Sequence, residues 1–487
     1  MPRDADISSS VPIQLLSNLT NLLGVGRVVS DHTELIVYEC DGLVLNRHLP
    51  DVVVYPETTE EIAQIVKIFS SHKIPYLARG AGTGLSGGAV PSSGGVIIQM
   101  SKMNRILDIH YEDETAVVQP GVINAHLSEQ TFPHGYHFAP DPSSQKACTI
   151  GGNVAENAGG PHTLKYGVTT NHVLGLTIVL PNGDIIETGS HALYPIGYDL
   201  TGLFVGSEGT LGIVTEIIVK LTRNPQSVKT FLAVFESVDD ASQAVSDIID
   251  AGIVPAALEL IDNLVINAVE LHIKAGFPTH ARAILLIEID GIKSSLNSES
   301  EKIESICGKN NVVNFRQAES DEERDLLWRG RKEAIGAIGK VTPAFYTNDG
   351  VVPRSKLPEI MKANFEIAES YGLKVGHVCH AGDGNIHPVI LYNPDLPEEA
   401  EKAVKVSEKI LEKCIDLGGA LTGEHGIGTE KQNCFQFMFN EDDEVQMKCV
   451  HSIFNPDSLL NPKKIFPSGS KCGETKIKKT LDSGGWL

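Results

Sequence analysis

Gly82-Thr83-Gly84-Leu85-Ser86-Gly87 follows Tyr76-Leu77-Ala78, a short apolar stretch that reads as a buried strand, and it spells the GxGxxG pattern of a dinucleotide-binding turn. In a doubly wound fold such a turn opens a helix at its third glycine. Here the chain runs into Ala89-Val90-Pro91-Ser92-Ser93-Gly94 and then a second strand at 95–100, so a proline and glycines stand where the helix would begin. A nicotinamide-type site is thereby rejected. The glycines between Arg79 and Val90 still leave backbone N–H groups unshielded, which suits close approach of an anionic ligand. Two more segments share this character: Asp141-Pro142-Ser143-Ser144 leading to the loop Ile150–Gly160, and Gly206–Gly212. Three glycine-rich loops converging from one domain imply a long ligand threaded past main chain at several points.

The rest of the first half supplies a scaffold for those loops. Leu15, Leu16, Leu19, Leu22 and Leu23 recur at helical spacing. Val52-Val53-Val54-Tyr55 reads as a strand, and Thr58 with Glu61 forms a capping-box signature before a helix whose apolar face is Ile62, Ile65, Val66 and Phe69. Further strands are expected at 116–119, 174–180 and 213–221. After Arg223-Asn224-Pro225 the pattern changes to strand (230–235), helix (238–251), strand, helix (262–275) and strand (283–290), with another amphipathic helix at 398–417. This predicts an α+β second domain built on an antiparallel sheet. The expected division is an N-terminal helical segment (1–34), a ligand-binding domain (35–225), a substrate or cap domain (226–420), a C-terminal segment returning to the first domain (421–467) and a loosely held tail (468–487).

A second constellation is chemical. His377, His380, Asp383, Asn385 and His387 lie in one short stretch, and Gly423-Glu424-His425-Gly426-Ile427-Gly428 follows the predicted helix. His380 and His387 flank six residues that include two glycines, a spacing that can turn and bring both imidazoles to one point. Glu424 can add a carboxylate from a different element. Two imidazoles and a carboxylate with open positions suit Zn²⁺, Mn²⁺ or Fe²⁺ and leave room for substrate. Asp383 and Asn385 are expected to orient the imidazoles.

Together the segments Arg79–Ala89, Ile150–Gly160 and Gly206–Gly212 resemble the FAD-binding domain of the vanillyl-alcohol-oxidase/PCMH flavoproteins. His380-Ala-Gly-Asp-Gly-Asn-Ile-His387-Pro, Gly423–Gly428, Asn348–Arg354 and Leu460–Pro467 are similar to the FAD-linked 2-hydroxyacid dehydrogenases, the branch of glycolate and D-lactate oxidation. The resemblance implies an α+β fold, with a PCMH-type FAD domain of two α/β subdomains and a cap domain with an antiparallel sheet. It implies FAD held by Arg79, Gly80, Gly82, Thr83, Gly84, Leu85, Ser86 and Gly87 of the first loop. Pro142, Ser143, Thr149, Gly151, Gly152, Asn153, Ala155, Asn157, Gly159 and Gly160 would serve from the second, and Glu208, Gly209, Gly212 and Ile213 from the third. It further implies a divalent metal on His380, His387 and Glu424, His425 as proton acceptor and Arg331, rather than nearby Arg329, on the substrate carboxylate. Relatives that tether the flavin have a histidine where Thr83 stands, so the FAD is expected to be dissociable.

The implied reaction is oxidation of glycolate to glyoxylate or D-lactate to pyruvate, with metal stabilising the alkoxide, His425 taking the hydroxyl proton and hydride passing to flavin N5. The D-2-hydroxyglutarate branch resembles this chain but carries lysine at Thr347 and asparagine at Val389, so a small monocarboxylate is favoured. The alternatives are a 2-hydroxyglutarate-type enzyme, or a non-catalytic flavin subunit that relays electrons. Composition narrows partners. Forty basic against 62 acidic residues give a net charge of −22, which repels nucleic acid and anionic lipid. No apolar run spans a bilayer, the start at Met1-Pro2-Arg3 does not read as a secretory signal, and no CxxC pair suggests a resident Fe–S cluster. The expected setting is the cytoplasm, or the inner face of a membrane through a partner. Expected acceptors are oxygen, quinone or a separate Fe–S subunit, with a homodimer as a candidate assembly.

Overall fold

A computed structural model describes residues 13–193 and 197–467; the expected tail at 468–487, the first twelve residues and Cys472 lie outside them. The helix Ile13–Leu23 buries Leu15, Leu19 and Leu23 against Thr59–His72, which presents Ile62, Ile65, Val66 and Phe69 to the same core. Thr58 caps the latter by accepting from the Glu61 N–H at 3.2 Å, but no reciprocal capping box forms. The Glu61 carboxylate turns to Arg27 and to the Glu57 N–H instead. These helices cover a four-stranded sheet, in the order Val28–Val29, Val52–Val54, Val96–Gln99, Tyr76–Arg79, whose last three strands are parallel. The GxGxxG segment joins two of those parallel neighbours without a helix.

A second sheet of the first half is antiparallel throughout, ordered Ile106–His110, Thr115–Val118, Ile213–Lys220, Val173–Val179, Ile185–Gly189. The segment Ile150–Gly160, expected as a loop, starts instead as a helix, Ile150–Glu156. Thr149 Oγ1 accepts from the Gly152 N–H, and Asn157 in the left-handed region ends it. Gly151 lets the helix ride close to Pro120, where a Cβ would meet the Pro120 carbonyl oxygen at 2.9 Å.

The second half is one eight-stranded antiparallel sheet. Its order is Asn314–Gln317, Ser227–Phe235, Ala283–Gly291, Ala257–Asp262, Lys374–His380, Asn385–Tyr392, Ala344–Thr347, with Gly350–Val351 also on Asn385–Tyr392. Side chains alternate between its faces. Phe231, Ala233 and Phe235 join one core with helices Val238–Asp250, Leu357–Ser370 and Pro397–Asp416. Leu232 and Val234 join the other, with Asn263–His272 and the helices Asp321–Lys332 and Ala334–Ile338.

Two devices join the halves. At the junction His162 Nδ1 meets Asp141 at 2.9 Å and His162 Nε2 meets Glu288 at 3.2 Å, while Arg324 and Trp328 also donate to Glu288 and Lys332 to Asp141. The C-terminal residues then return to the first half: the Asn461 side chain donates to the carbonyls of Gly88 and Glu208, and buried Lys464 to those of Gly87 and Val90. All seven described cysteines are free, five of them buried. Among the described residues no helix is long and apolar enough to cross a membrane.

Candidate active site

A cavity of about 1580 Å³, its open mouth included, runs from the first glycine loop to the histidine cluster. Lined along its length by residues of all three glycine-rich loops, it suits an elongated ligand. Of the residues assigned to the cofactor, Arg79, Gly80, Gly82, Thr83, Gly84, Leu85, Pro142, Ser143, Thr149, Gly151, Gly152, Asn153, Ala155, Glu208, Gly209, Gly212 and Ile213 line it. Ser86, Gly87, Asn157, Gly159 and Gly160 stand behind its wall and shape the loops. The Ser86 carbonyl accepts from the Thr429 and Glu430 N–H groups, the Gly87 carbonyl takes Lys464, and the Asn157 side chain accepts from the Thr170 N–H. Gly160 packs on the Asp141–Pro142 backbone, and a Cβ on Gly159 would come within 3.0 Å of Glu424 Oε2. Arg79 lines the cavity, but its guanidinium donates to the carbonyls of Ala89 and Cys40, so it braces the first loop.

The far end is assembled from three elements. Strands Lys374–His380 and Asn385–Tyr392 form a hairpin that sets His380 and His387 with ring centroids 5.2 Å apart and planes at 89°. The loop Thr422–His425 brings Glu424 between them, and Glu424 Oε1 lies 3.2 Å from both Nε2 atoms. The three donor atoms converge within 4.8 Å, as one cation would require. The other ring nitrogens are held elsewhere than expected. His380 Nδ1 lies 2.9 Å from Glu259, and His387 Nδ1 donates to the Asn348 carbonyl at 3.3 Å. Neither Asp383 nor Asn385 orients them. Burial opposes charge on His380, yet Glu259 and Glu424 push its pKa up to about 10, which marks a site that attracts positive charge.

Asp349 builds the loop. Its Oδ2 accepts from Thr422 Oγ1 and from the N–H groups of Gly423, Glu424 and His425, and Lys431 Nζ stands 3.2 Å away. Although burial works the other way, Lys431 and the hydrogen bond from Thr422 hold Asp349 well below the usual carboxylate range. Asp349, His387 and His425 also place donor atoms close together, but this web already commits the Asp349 charge. Glu208 anchors the same loop by accepting from the Ile427 and Gly428 N–H groups, each at 2.7 Å. His425 stacks on His387, centroids 5.0 Å apart, and burial lowers its pKa to about 4, leaving a neutral ring that can accept a proton.

Arg331 is buried and lines the cavity, whereas Arg329 is exposed, which separates two arginines that spacing alone confuses. Arg331 Nη2 pairs with Glu259 at 2.5 Å, and its Nε is buried with no partner in the protein. Thr347 and Val389 are cross-strand neighbours, but neither lines the cavity. Val389 packs in the apolar core, and Ile335 lines the cavity instead. The residues missed from sequence are Glu259, Asp349 and Ile335. Asn348-Asp349-Gly350 was the one visible signal among them.

Comparison with known proteins adds to this geometry. Residues 50–189 match the model of an FAD binding domain, and 224–465 that of the C-terminal domain of FAD linked oxidases. The chain is 45% identical over 441 residues to the glycolate oxidase subunit GlcD of Escherichia coli (strain K12), covering 91% of this chain and 88% of that protein. It is 43% identical to GlcD of Bacillus subtilis (strain 168), covering 90% and 93%. It is 31% identical to a mitochondrial D-lactate dehydrogenase [cytochrome] of Arabidopsis thaliana, covering 94% and 81%. Among solved structures, p-cresol methylhydroxylase superposes with a TM-score of 0.77 at 19% identity, covering 92% of this chain and 95% of that one. A 4-ethylphenol oxidase from Gulosibacter chungangensis gives 0.75 at 19%, covering 94% and 99%.

Proposed function

This chain belongs to the FAD-linked oxidase family, and from that premise we propose that it oxidises glycolate or D-lactate with FAD and a divalent cation. FAD-dependent oxidation of a small 2-hydroxy acid is its activity. The convergence of His380 Nε2, His387 Nε2 and Glu424 Oε1 on one point, at the end of the cavity beside His425, carries the finer reading.

When bound, FAD supplies the hydride acceptor at flavin N5 and the cation supplies a Lewis acid for the substrate hydroxyl. His380, His387 and Glu424 would hold that cation, and Glu259 and the Asn348 carbonyl fix the imidazoles so that both Nε2 atoms face it. Neutral His425 takes the hydroxyl proton. The free Nε–H of Arg331 anchors the substrate carboxylate, its charge steadied by Glu259. Ile335 adds an apolar side chain to the cavity lining, which favours hydrogen or methyl at C2 over a second carboxylate.

Thr83 offers no imidazole to the flavin, so FAD is held without a covalent bond. The electrons leave to oxygen, quinone or a separate Fe–S protein, and the naming of two relatives as subunits supports a partner. The setting is the cytoplasm, or the inner face of a membrane through a partner, since the acidic chain itself repels anionic lipid. The test is anaerobic bleaching of the purified flavoprotein by glycolate, D-lactate, L-lactate and D-2-hydroxyglutarate. Bleaching by one of the first two is the expected result, and bleaching by D-2-hydroxyglutarate alone would overturn the substrate assignment.

A further inference from the structure

Glu156 ends the helix Ile150–Glu156 and reaches the cavity wall, and nothing described so far uses it. Its Oε2 is shut off from solvent and has no hydrogen-bond partner in the protein, so it lies within the wall, and Oε1, against cavity-lining Gly88, is the oxygen on the cavity side. Oε1 comes within 2.6 Å of where a Cβ on Gly88 would stand. Oε2 comes within 2.4 Å of the corresponding point on Gly426, which Glu208 Oε1 approaches to 2.9 Å. The two carboxyl groups therefore face one another across Gly426, between the cavity and the loop that carries His425.

Their hydrogen bonds decide which one keeps a proton. Burial raises the Glu208 pKa as well, but it accepts two backbone N–H bonds that work against this and stabilise its anion. Glu156 Oε2 receives none. The other charges that act on Glu156 are Asp41, Lys431 and Lys464. Both lysines are committed: Lys431 to Asp349 and the Gly426 carbonyl, Lys464 to the Gly87 and Val90 carbonyls and the Ser92 hydroxyl. Two facing carboxyls out of water cannot both ionise cheaply. Burial and the charge of Glu208 accordingly raise the Glu156 pKa well above the usual range.

We infer that Glu156 is a cofactor-binding residue that acts in its neutral form, donating its carboxyl O–H from Oε1 to an acceptor atom of the bound FAD. This rests on the reading of the cavity as the FAD site. A dinucleotide is an anion that an ionised carboxylate would repel, whereas a neutral acid adds a donor without repulsion.

The test is FAD binding by full-length apoprotein, followed by flavin fluorescence from neutral to alkaline pH, in wild type and Glu156→Gln. Wild-type binding should weaken by roughly tenfold per pH unit once Glu156 ionises, and the variant should lack that slope. At neutral pH the amide, a poorer donor, should bind about threefold more weakly, whereas at alkaline pH the variant should bind more tightly than wild type. Parallel profiles for the two proteins, sloped or flat, overturn the inference, as does tighter binding by the variant at neutral pH. A protonated-carboxyl band in the infrared spectrum of wild-type apoprotein, lost in Glu156→Gln, is the second expected result, and its persistence in the variant also overturns the inference. Failure of wild type to take up FAD at any pH overturns the flavin reading and this inference together.

Discussion

His425 and Glu424 are neighbours in the chain, but their surroundings give them opposite roles. Glu424 lies between two imidazoles that, against the effect of burial, hold its carboxylate ionised. His425 packs flat on His387 in a buried setting that keeps its ring neutral. One residue is therefore suited to hold a cation and the other to accept a proton. His425→Ala should slow substrate-driven flavin reduction by about 10²–10⁴-fold while the bound flavin spectrum persists, as stopped-flow absorbance would register. Removing divalent metal with a chelator should abolish reduction, and adding Zn²⁺, Mn²⁺ or Fe²⁺ back should restore it. Turnover by fully metal-free protein would remove the Lewis-acid role.

At the scale of elements, the helix Asp321–Lys332 links the cavity to the junction between halves. Arg324, Trp328 and Lys332 on it reach Glu288 and Asp141, while Arg331 turns into the cavity. His162 donates from both ring nitrogens to those two carboxylates, so it must be an imidazolium. Burial disfavours that charge, but Asp141 and Glu288 carry its pKa from 6.5 up to about 10. The stability from this shift is present in full below about pH 6.5 and is lost as pH rises through about 10. Asp141 and Glu288 are held below the usual carboxylate range despite burial, so their contributions exist above that range and fade in acid. The junction is strongest between these limits. His162→Ala should cost about 3–5 kcal/mol near neutral pH, and its melting temperature should converge on wild type as the pH approaches that of His162 ionisation. A constant difference across that range would show that charge is not what His162 contributes.

Over the whole molecule, the cavity borrows walls from both halves and from the returning C-terminal residues, so a ligand filling it ties the three together. FAD at about 100 times its dissociation constant should add about 2.7 kcal/mol to stability, visible as a rise in melting temperature. Acid precipitation should release all of the flavin, because Thr83 has no nitrogen with which to hold it. The chain's own pattern determined much of this. Alternation and helical spacing marked most strands and helices because a buried face imposes its period on neighbouring residues. Glycines marked the ligand path, and the grouped histidines marked the chemistry. Local reading failed where glycine-rich sequence was taken for a loop, since Thr149 and Asn157 cap a true helix there. The partners of the imidazoles were decided only in three dimensions. Glu259 is more than a hundred residues from His380, and Asp349 reaches a loop more than seventy residues away. Ile335, not Thr347 or Val389, lines the cavity. Spacing specifies what one element can present, but which charge compensates which across a buried site depends on the packing of distant elements, and no local pattern encodes that.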